Sequence, residues 1–330
     1  MRVAIRADGN TKMGYGHLFR SNTVARALHE SGFSVSYLTE TPEPASSVCI
    51  DQAEIIEMDG RDELLSTVRE LSPDAIFLDL PDAPVKLQRT LREEALLAVF
   101  LGSARNTLAC DILVNGHFFA KDEEYKWVDE EPIWCLGPDY LPLRQPFPSL
   151  ASRSKKCPQE LERGIILMGG SDPHNLTPAA MNAFEGLGVK VTVVVGPGNE
   201  NIKAINHTRD TLGGSYDIQR NPDDLPIQMF NADVAISGFG TTAYELIATK
   251  TPFVGVTRNN LERETADKIS KHVGVPYLNR SDSCTRLRIN LQALVSDHGT
   301  RVSLRDRFAE LVDGKGSKRI AREIKARLDL

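Results

Sequence analysis

Val3-Ala4-Ile5-Arg6-Ala7-Asp8-Gly9-Asn10-Thr11-Lys12-Met13-Gly14-Tyr15-Gly16-His17 is the stretch on which the fold turns. An apolar run, a polar loop with three glycines and the entry to an amphipathic segment over His17–Ser31 read as strand, loop and helix. The same pattern recurs outward from it. Strands are expected at Phe33–Thr39, Ala53–Met58, Ala75–Asp79, Leu96–Leu101, Ile112–Asn115 and Ile133–Leu136, with helices over Asp62–Leu71 and Ala83–Glu94. Such alternation predicts parallel βα units.

The pattern breaks around Pro142–Gln159, where Pro142, Pro146, Pro148 and Pro158 sit among serines and basic residues. It restarts with strands at Gly164–Met168, Lys190–Val195, Tyr216–Gln219, Val234–Ser237 and Phe253–Thr257. Helices are expected over Thr177–Leu187, from Pro222, over Thr242–Thr249 and over Glu262–His272, and most of Cys284–Leu330 reads as helix. The expectation is an α/β protein of two Rossmann-like domains facing a cleft. Residues 1–145 form the first, 146–160 a linker, and 161–330 the second with its C-terminal helices. Ligands of such sheets sit outside the carboxyl ends of the strands.

Composition narrows the function classes. The chain has 330 residues, enough for two cores, and 41% are hydrophobic, which argues against disorder. Lys and Arg number 39 against 45 Asp and Glu, a net charge of −6 without a basic block, so nucleic acid is not an expected partner. The longest clean apolar run, Ala95–Leu101, is far short of the ~20 residues a bilayer requires, so stable membrane insertion is not expected. Met1-Arg2 leads directly into a strand without signal-peptide architecture, and the five cysteines form no CxxC pair. Free thiols in a reducing cytoplasm is the expectation.

Three loops are candidates for chemistry. In the first, Gly14-x-Gly16 begins a dinucleotide fingerprint, but Phe19 stands where its third glycine belongs. Instead, Gly14 and Gly16 deliver His17 to the first turn of a helix, whose positive pole favours the uncharged ring and so a general base. Arg20 lies one turn along, and Arg6 and Asp8 close the same strand. The plainer reading makes His17 a packing or capping residue. The second loop is Met168-Gly169-Gly170-Ser171-Asp172, where two glycines before a helix suit a diphosphate. An ordinary βα turn is its plainer reading. The third runs from Ser237-Gly238-Phe239-Gly240 through Thr241-Thr242 to Glu245. Thr242-x-x-Glu245 is either a capping box or a phosphate turn followed by a carboxylate that grips ribose hydroxyls. Asp79, at a strand end, either touches a sugar or solvates a loop. The remaining histidines have no metal spacing, and neither a metal nor a cofactor is expected.

Taken in order, Arg6-x-Asp8, Gly14-x-Gly16-His17-x-x-Arg20, Cys110–Asn115, Met168–Asp172, Ser237–Glu245 and Asn259-Asn260-x-Glu262 resemble a known family. It comprises the UDP-2,4-diacetamido-2,4,6-trideoxy-β-L-altropyranose hydrolases of pseudaminic acid biosynthesis and the related spore-coat polysaccharide proteins. The resemblance covers most of residues 1–275. It implies a GT-B architecture with the sugar on the N-terminal domain and UDP on the C-terminal one. It also implies metal-independent hydrolysis of the anomeric C–O bond with inversion and release of UDP. By analogy His17 activates water, with Asp8 as the rival base. Arg6, Gly14, Gly16, Arg20, Asp79 and Asn259 would bind the substrate. Gly169, Gly170, Ser171, Ser237, Gly238, Thr241, Thr242 and Glu245 would hold UDP. One departure concerns the sugar: Leu80-Pro81 follows Asp79 where the family carries a His-Tyr pair. The alternatives are a glycosyltransferase of the MurG type, a UDP-sugar 2-epimerase, and a nucleotide-sugar-binding relative without chemistry. The sequence leaves the oligomeric state open.

Overall fold

The structure is a computed structural model that describes residues 1–10, 15–101 and 107–329. It divides into two compact units: residues 1–145 with 314–330, and residues 146–313.

The first unit holds β1 (Arg2–Ala7), α1 (Gly16–Glu30), β2 (Ser34–Thr39), α2 (Pro42–Val48), β3 (Glu54–Glu57), α3 (Leu64–Leu71) and β4 (Ala75–Asp79). It continues with α4 (Val85–Glu94), β5 (Leu96–Phe100), β6 (Thr107–Leu108), β7 (Ile112–Asn115), β8 (Lys126–Trp127) and β9 (Ile133–Leu136). Seven strands form a parallel sheet in the order β3-β2-β1-β4-β5-β7-β9. Continuous apolar strands fit this design, because helices cover both faces and no alternation is needed. Val3, Ala4, Ile5, Ile76, Phe77 and Leu78 are accordingly fully buried. The direction of strand addition reverses between β1 and β4, where Ala7 pairs with Asp79.

The second unit holds α5 (Phe147–Ala151), β10 (Arg163–Leu167), α6 (Thr177–Phe184), β11 (Lys190–Val195), α7 (Ile202–Leu212), β12 (Tyr216–Arg220) and α8 (Leu225–Asn231). After these come β13 (Val234–Gly238), α9 (Thr241–Ala248), β14 (Phe253–Thr257), α10 (Asn260–Val273), β15 (Tyr277–Asn279), α11 (Cys284–Ser296) and α12 (His298–Leu311). Its six parallel strands run β12-β11-β10-β13-β14-β15, with the reversal between β10 and β13.

Two expectations about organisation require correction. The final helix, α13 (Gly316–Leu328), belongs to the first unit and not to the C-terminal domain. Its stripe of Ile320, Ala321 and Ile324 is buried in one cluster with Leu18, Val24, Ala25 and Leu28 of α1. Gly316 seats its start against the backbone of Leu141, where a Cβ would collide with that residue's carbonyl. Residues 146–160, expected as a linker, are part of the second unit. Phe147 and Leu150 of α5 are fully buried, and the Lys250 ammonium donates to the carbonyls of Ala151 (2.6 Å) and Arg153 (2.6 Å).

All five cysteines are free thiols. No helix among the described residues is long and apolar enough to cross a membrane.

Candidate functional site

In each unit the chain reversal marks where a ligand crevice is expected, at the carboxyl ends of the strands. In the first unit that point is Asp79, at the end of β4. A carboxylate this deep is costly unless it is saturated with donors. Asp79 is fully buried and has four. Arg20 approaches fork-on, Nε donating to Oδ2 at 2.7 Å and Nη2 to Oδ1 at 2.6 Å. Ser21 Oγ donates to Oδ2 at 2.9 Å, and His17 Nδ1 lies 2.8 Å from Oδ1. Burial alone would raise the Asp79 carboxyl, but the Arg20 charge and the hydrogen bonds from His17 and Arg20 outweigh it and hold the group below its ordinary value.

The His17 tautomer follows from this network. Asp79 is ionised and can only accept, so a lone pair on Nδ1 would face the carboxylate oxygen across 2.8 Å. The proton is therefore assigned to Nδ1, and Nε2 carries the basic lone pair. Arg20 Nη2 donates to the same oxygen and also lies 2.7 Å from Nδ1, where it would bond a lone pair, so the Nδ1–H tautomer rests on the Asp79 contact. His17 is the second residue of α1, whose N-terminus has no side-chain cap, and its side chain is 19% exposed. The side chain is thus partly reachable. A histidine oriented by a carboxylate in this way can take a proton from a hydroxyl nucleophile at its far nitrogen.

Several expected roles change. Asp79 is spent on protein donors, so it positions His17 and Arg20 and has no oxygen left over for a sugar. Arg6 and Asp8 do not join this cluster. They pair with each other at 2.6 Å, and Arg6 also reaches Glu40 and the Leu38 carbonyl. Asp8 accepts from the Glu40 amide (2.8 Å) and the Thr39 hydroxyl (3.0 Å). Burial works to raise the Asp8 carboxyl, but Arg6 and these donors lower it, which makes Asp8 a poorer base than an ordinary carboxylate. Gly16 is the first residue of α1 and is exposed, whereas Gly14 lies outside the described residues. Leu80 turns into the hydrophobic core, leaving Pro81 and Asp82 exposed after Asp79.

Two further residues complete this end of the sheet. The Arg20 guanidinium lies 4.4 Å above the Phe100 ring, at the end of β5. His117, beyond β7, stacks on Phe119 with centroids 5.1 Å apart; burial pushes its pKa down to about 4, with help from the Arg20 charge. A lone histidine two residues past a strand carries no sequence signal.

In the second unit the reversal lies between the loops after β10 and β13. Gly169 has φ +81°, a conformation that favours glycine. Gly170 is pressed by the loop after β11: the Gly198 amide donates to the Gly170 carbonyl at 2.9 Å, and a Cβ at Gly196 would collide with Gly170. Ser171 follows, and buried Asp172 fixes the turn. Its carboxylate accepts from the Leu176 amide, and from the amide and hydroxyl of Thr177 at the start of α6.

The third loop differs from the capping-box reading. Helix α9 starts at Thr241 with Gly240 at its cap position and no side-chain cap bond. Thr242 and Glu245 are two residues too far into the helix to form the box. Ser237 is fully buried and donates to the Gly238 carbonyl, and Glu245 is 6% exposed. A side-chain cap of related form, with Glu262 reaching the residue before the cap, stands instead at α10. Asn259 Oδ1 accepts from the Glu262 amide at 2.9 Å, while Glu262 Oε2 accepts from the Arg258 amide at 2.7 Å. Asn259, expected at the substrate, caps this helix through Oδ1.

Arg258, unmarked in sequence, occupies the middle of this region. It pairs with Glu262, and its Nη1 donates to the Met168 carbonyl at 3.2 Å. Only the glycines around it hint at the room it fills.

No protein-family model matches the chain. An uncharacterized protein of Methanocaldococcus jannaschii is 26% identical over 293 residues, 84% of this chain and 60% of that protein. The UDP-2,4-diacetamido-2,4,6-trideoxy-β-L-altropyranose hydrolase of Campylobacter jejuni is 23% identical over 186 residues, 54% of this chain and 63% of that protein. The chain therefore spans less than two thirds of the length of either relative. Among solved structures, Acinetobacter baumannii MurG superposes with a TM-score of 0.69 at 13% identity, covering 98% of this chain and 99% of that one. The calicheamicin glycosyltransferase CalG4 superposes with a TM-score of 0.67 at 14% identity, covering 100% and 98%. The fold is that of the GT-B glycosyltransferases, two Rossmann-like units in one chain.

Proposed function

We propose that this protein breaks the anomeric C–O bond of a UDP-sugar with inversion, His17 taking the proton of the attacking hydroxyl. The observation that carries the reading is the His17–Asp79–Arg20 cluster, with Nδ1 tied to a buried carboxylate and the side chain partly open to solvent. Displacement at an anomeric carbon needs a nucleophile opposite the leaving group and a base to receive its proton. The leaving diphosphate is a weak base, so help from an acid matters less. In this reading Arg20 and Gly16 border the sugar, while Gly169–Ser171, Ser237, Gly238, Thr241, Thr242 and Glu245 hold UDP.

The nucleophile decides between two readings. Transfer to an acceptor hydroxyl comes first, supported by the likeness to MurG and CalG4, both glycosyltransferases. Hydrolysis, in pseudaminic acid or surface polysaccharide biosynthesis, is the second. It is supported by the match to the Campylobacter hydrolase and by the ordered loops that resemble its family. The test is UDP release from a panel of UDP-amino sugars, with and without candidate acceptors, and product stereochemistry by NMR. Release that needs an acceptor supports the transferase; equal release into water supports the hydrolase. His17→Asn and His17→Phe should each lower kcat by about 10²–10⁴-fold and leave UDP affinity unchanged. Near-normal turnover in folded His17→Phe would remove His17 from the base role, and retention of configuration would overturn the mechanism.

A further inference from the structure

We infer that Arg258 is the cation that meets the diphosphate of the nucleotide on the second unit, an assignment that rests on the UDP-sugar reading above. Strands β10, β13 and β14 are neighbours, and Arg258 is the first residue beyond β14. Its side chain crosses the end of β13 to reach the Met168 carbonyl beyond β10, so one guanidinium spans both glycine loops. A Cβ built on Gly169 would stand 2.8 Å from its Nη1, one on Gly238 3.5 Å from Nε, and one on Gly240 3.5 Å from Nη2.

These distances separate two causes. At Gly169 both the positive φ and the nearness of Arg258 call for glycine. At Gly238 and Gly240 the nearest atoms to a Cβ are those of Arg258, at ordinary contact distance, so close packing does not demand glycine there. Their bareness leaves backbone and free volume beside a charged group at the reversal of the sheet. Helix α9, with no side-chain cap, begins at the same place. A guanidinium N–H, bare glycine backbone and a helix N-terminus together match a diphosphate.

Glu262 accounts for how the fork is held. It accepts from Nε at 2.8 Å, from Nη2, and from the Arg258 amide, and it is itself buried. Met168 takes one hydrogen of Nη1, and the second is left for a ligand. The Arg258 side chain is 20% exposed, so the charge is ordered yet accessible.

The test is calorimetric titration of the full chain with UDP, UMP and uridine. Arg258→Ala should weaken UDP by about 10- to 100-fold while uridine stays within about twofold. Arg258→Lys should recover part of the loss and Arg258→Gln should not, which keeps the test valid if the alanine variant folds poorly. Unchanged UDP affinity in the folded alanine and glutamine variants would overturn the assignment. So would an equal loss for uridine, which would mark a structural role. A wild-type chain that binds none of the three would overturn the nucleotide reading and this inference together, whereas wild-type UDP binding with an indifferent Arg258 would overturn the inference alone.

Discussion

Replacing Asp79 by Asn tests the cluster most directly, because it keeps shape and removes charge. Four donors converge on this carboxylate, and an amide can serve only part of them. Removing one partner of a buried ion pair costs about 3–5 kcal/mol. The Arg20 side chain is 26% exposed and recovers some hydration, so the lower end, about 3 kcal/mol, is the expected loss. At roughly 2–4 °C per kcal/mol for a unit of this size, the melting temperature should fall by about 6–12 °C. Acid titration supplies an independent check. The Asp79 carboxyl sits below its unfolded value, so its contribution is present above about pH 4 and is lost as pH falls through the lower folded value. Wild type should therefore lose stability in that window faster than Asp79→Asn. The assay is differential scanning calorimetry from pH 3 to 7, with turnover measured on the same samples. A melting temperature within about 1 °C of wild type, or parallel acid profiles, would refute the reasoning about Asp79.

Two further predictions concern packing. Gly316→Val should lower stability by about 1–3 kcal/mol, because its side chain must displace the Leu141 backbone where α13 begins, and an unchanged urea midpoint would show that this helix does not seat there. Lys155, bonded to the Ala232 carbonyl, has its pKa pushed down by burial to about 7, so between pH 7 and about 10 the unfolded chain holds the extra proton and the native state gains with rising pH. The stability of wild type relative to Lys155→Met should accordingly grow across that interval, and a constant difference would discard the buried lysine as its cause.

The legibility of this chain follows burial. Runs such as Ala75–Asp79 and Val234–Gly238, buried at every position, announce themselves as strands in sequence. Helix α7 does not, because Ile205 is its one buried residue and most of the others are polar. Helix α2 is masked by Pro42 and Pro44, which read as a turn although proline is well tolerated in a first helical turn. At the site, residue types are legible and partnerships are not. His17 and Arg20 stand out one helical turn apart, but the carboxylate that organises them lies 62 and 59 positions away. Arg6 and Asp8 look equally available until each is seen to neutralise the other. Thr242-x-x-Glu245 and Asn259-x-x-Glu262 look alike in sequence, and only the place where each helix begins decides that Asn259 is a cap and Thr242 is not.

The return of α13 to the first sheet has a consequence for how the protein is made. Ribosomes deliver residues in order, and domains usually fold as they emerge, N-terminal parts first. Here the apolar side of α1 must wait for Ile320 and Ile324, which arrive only after the entire second unit has been synthesised. Throughout that interval the nascent first unit carries an uncovered greasy stripe. The hazard during synthesis is therefore greatest at the half of the protein that is translated first, and a ribosome stalled before α13 would release a chain whose early half is the part unable to close.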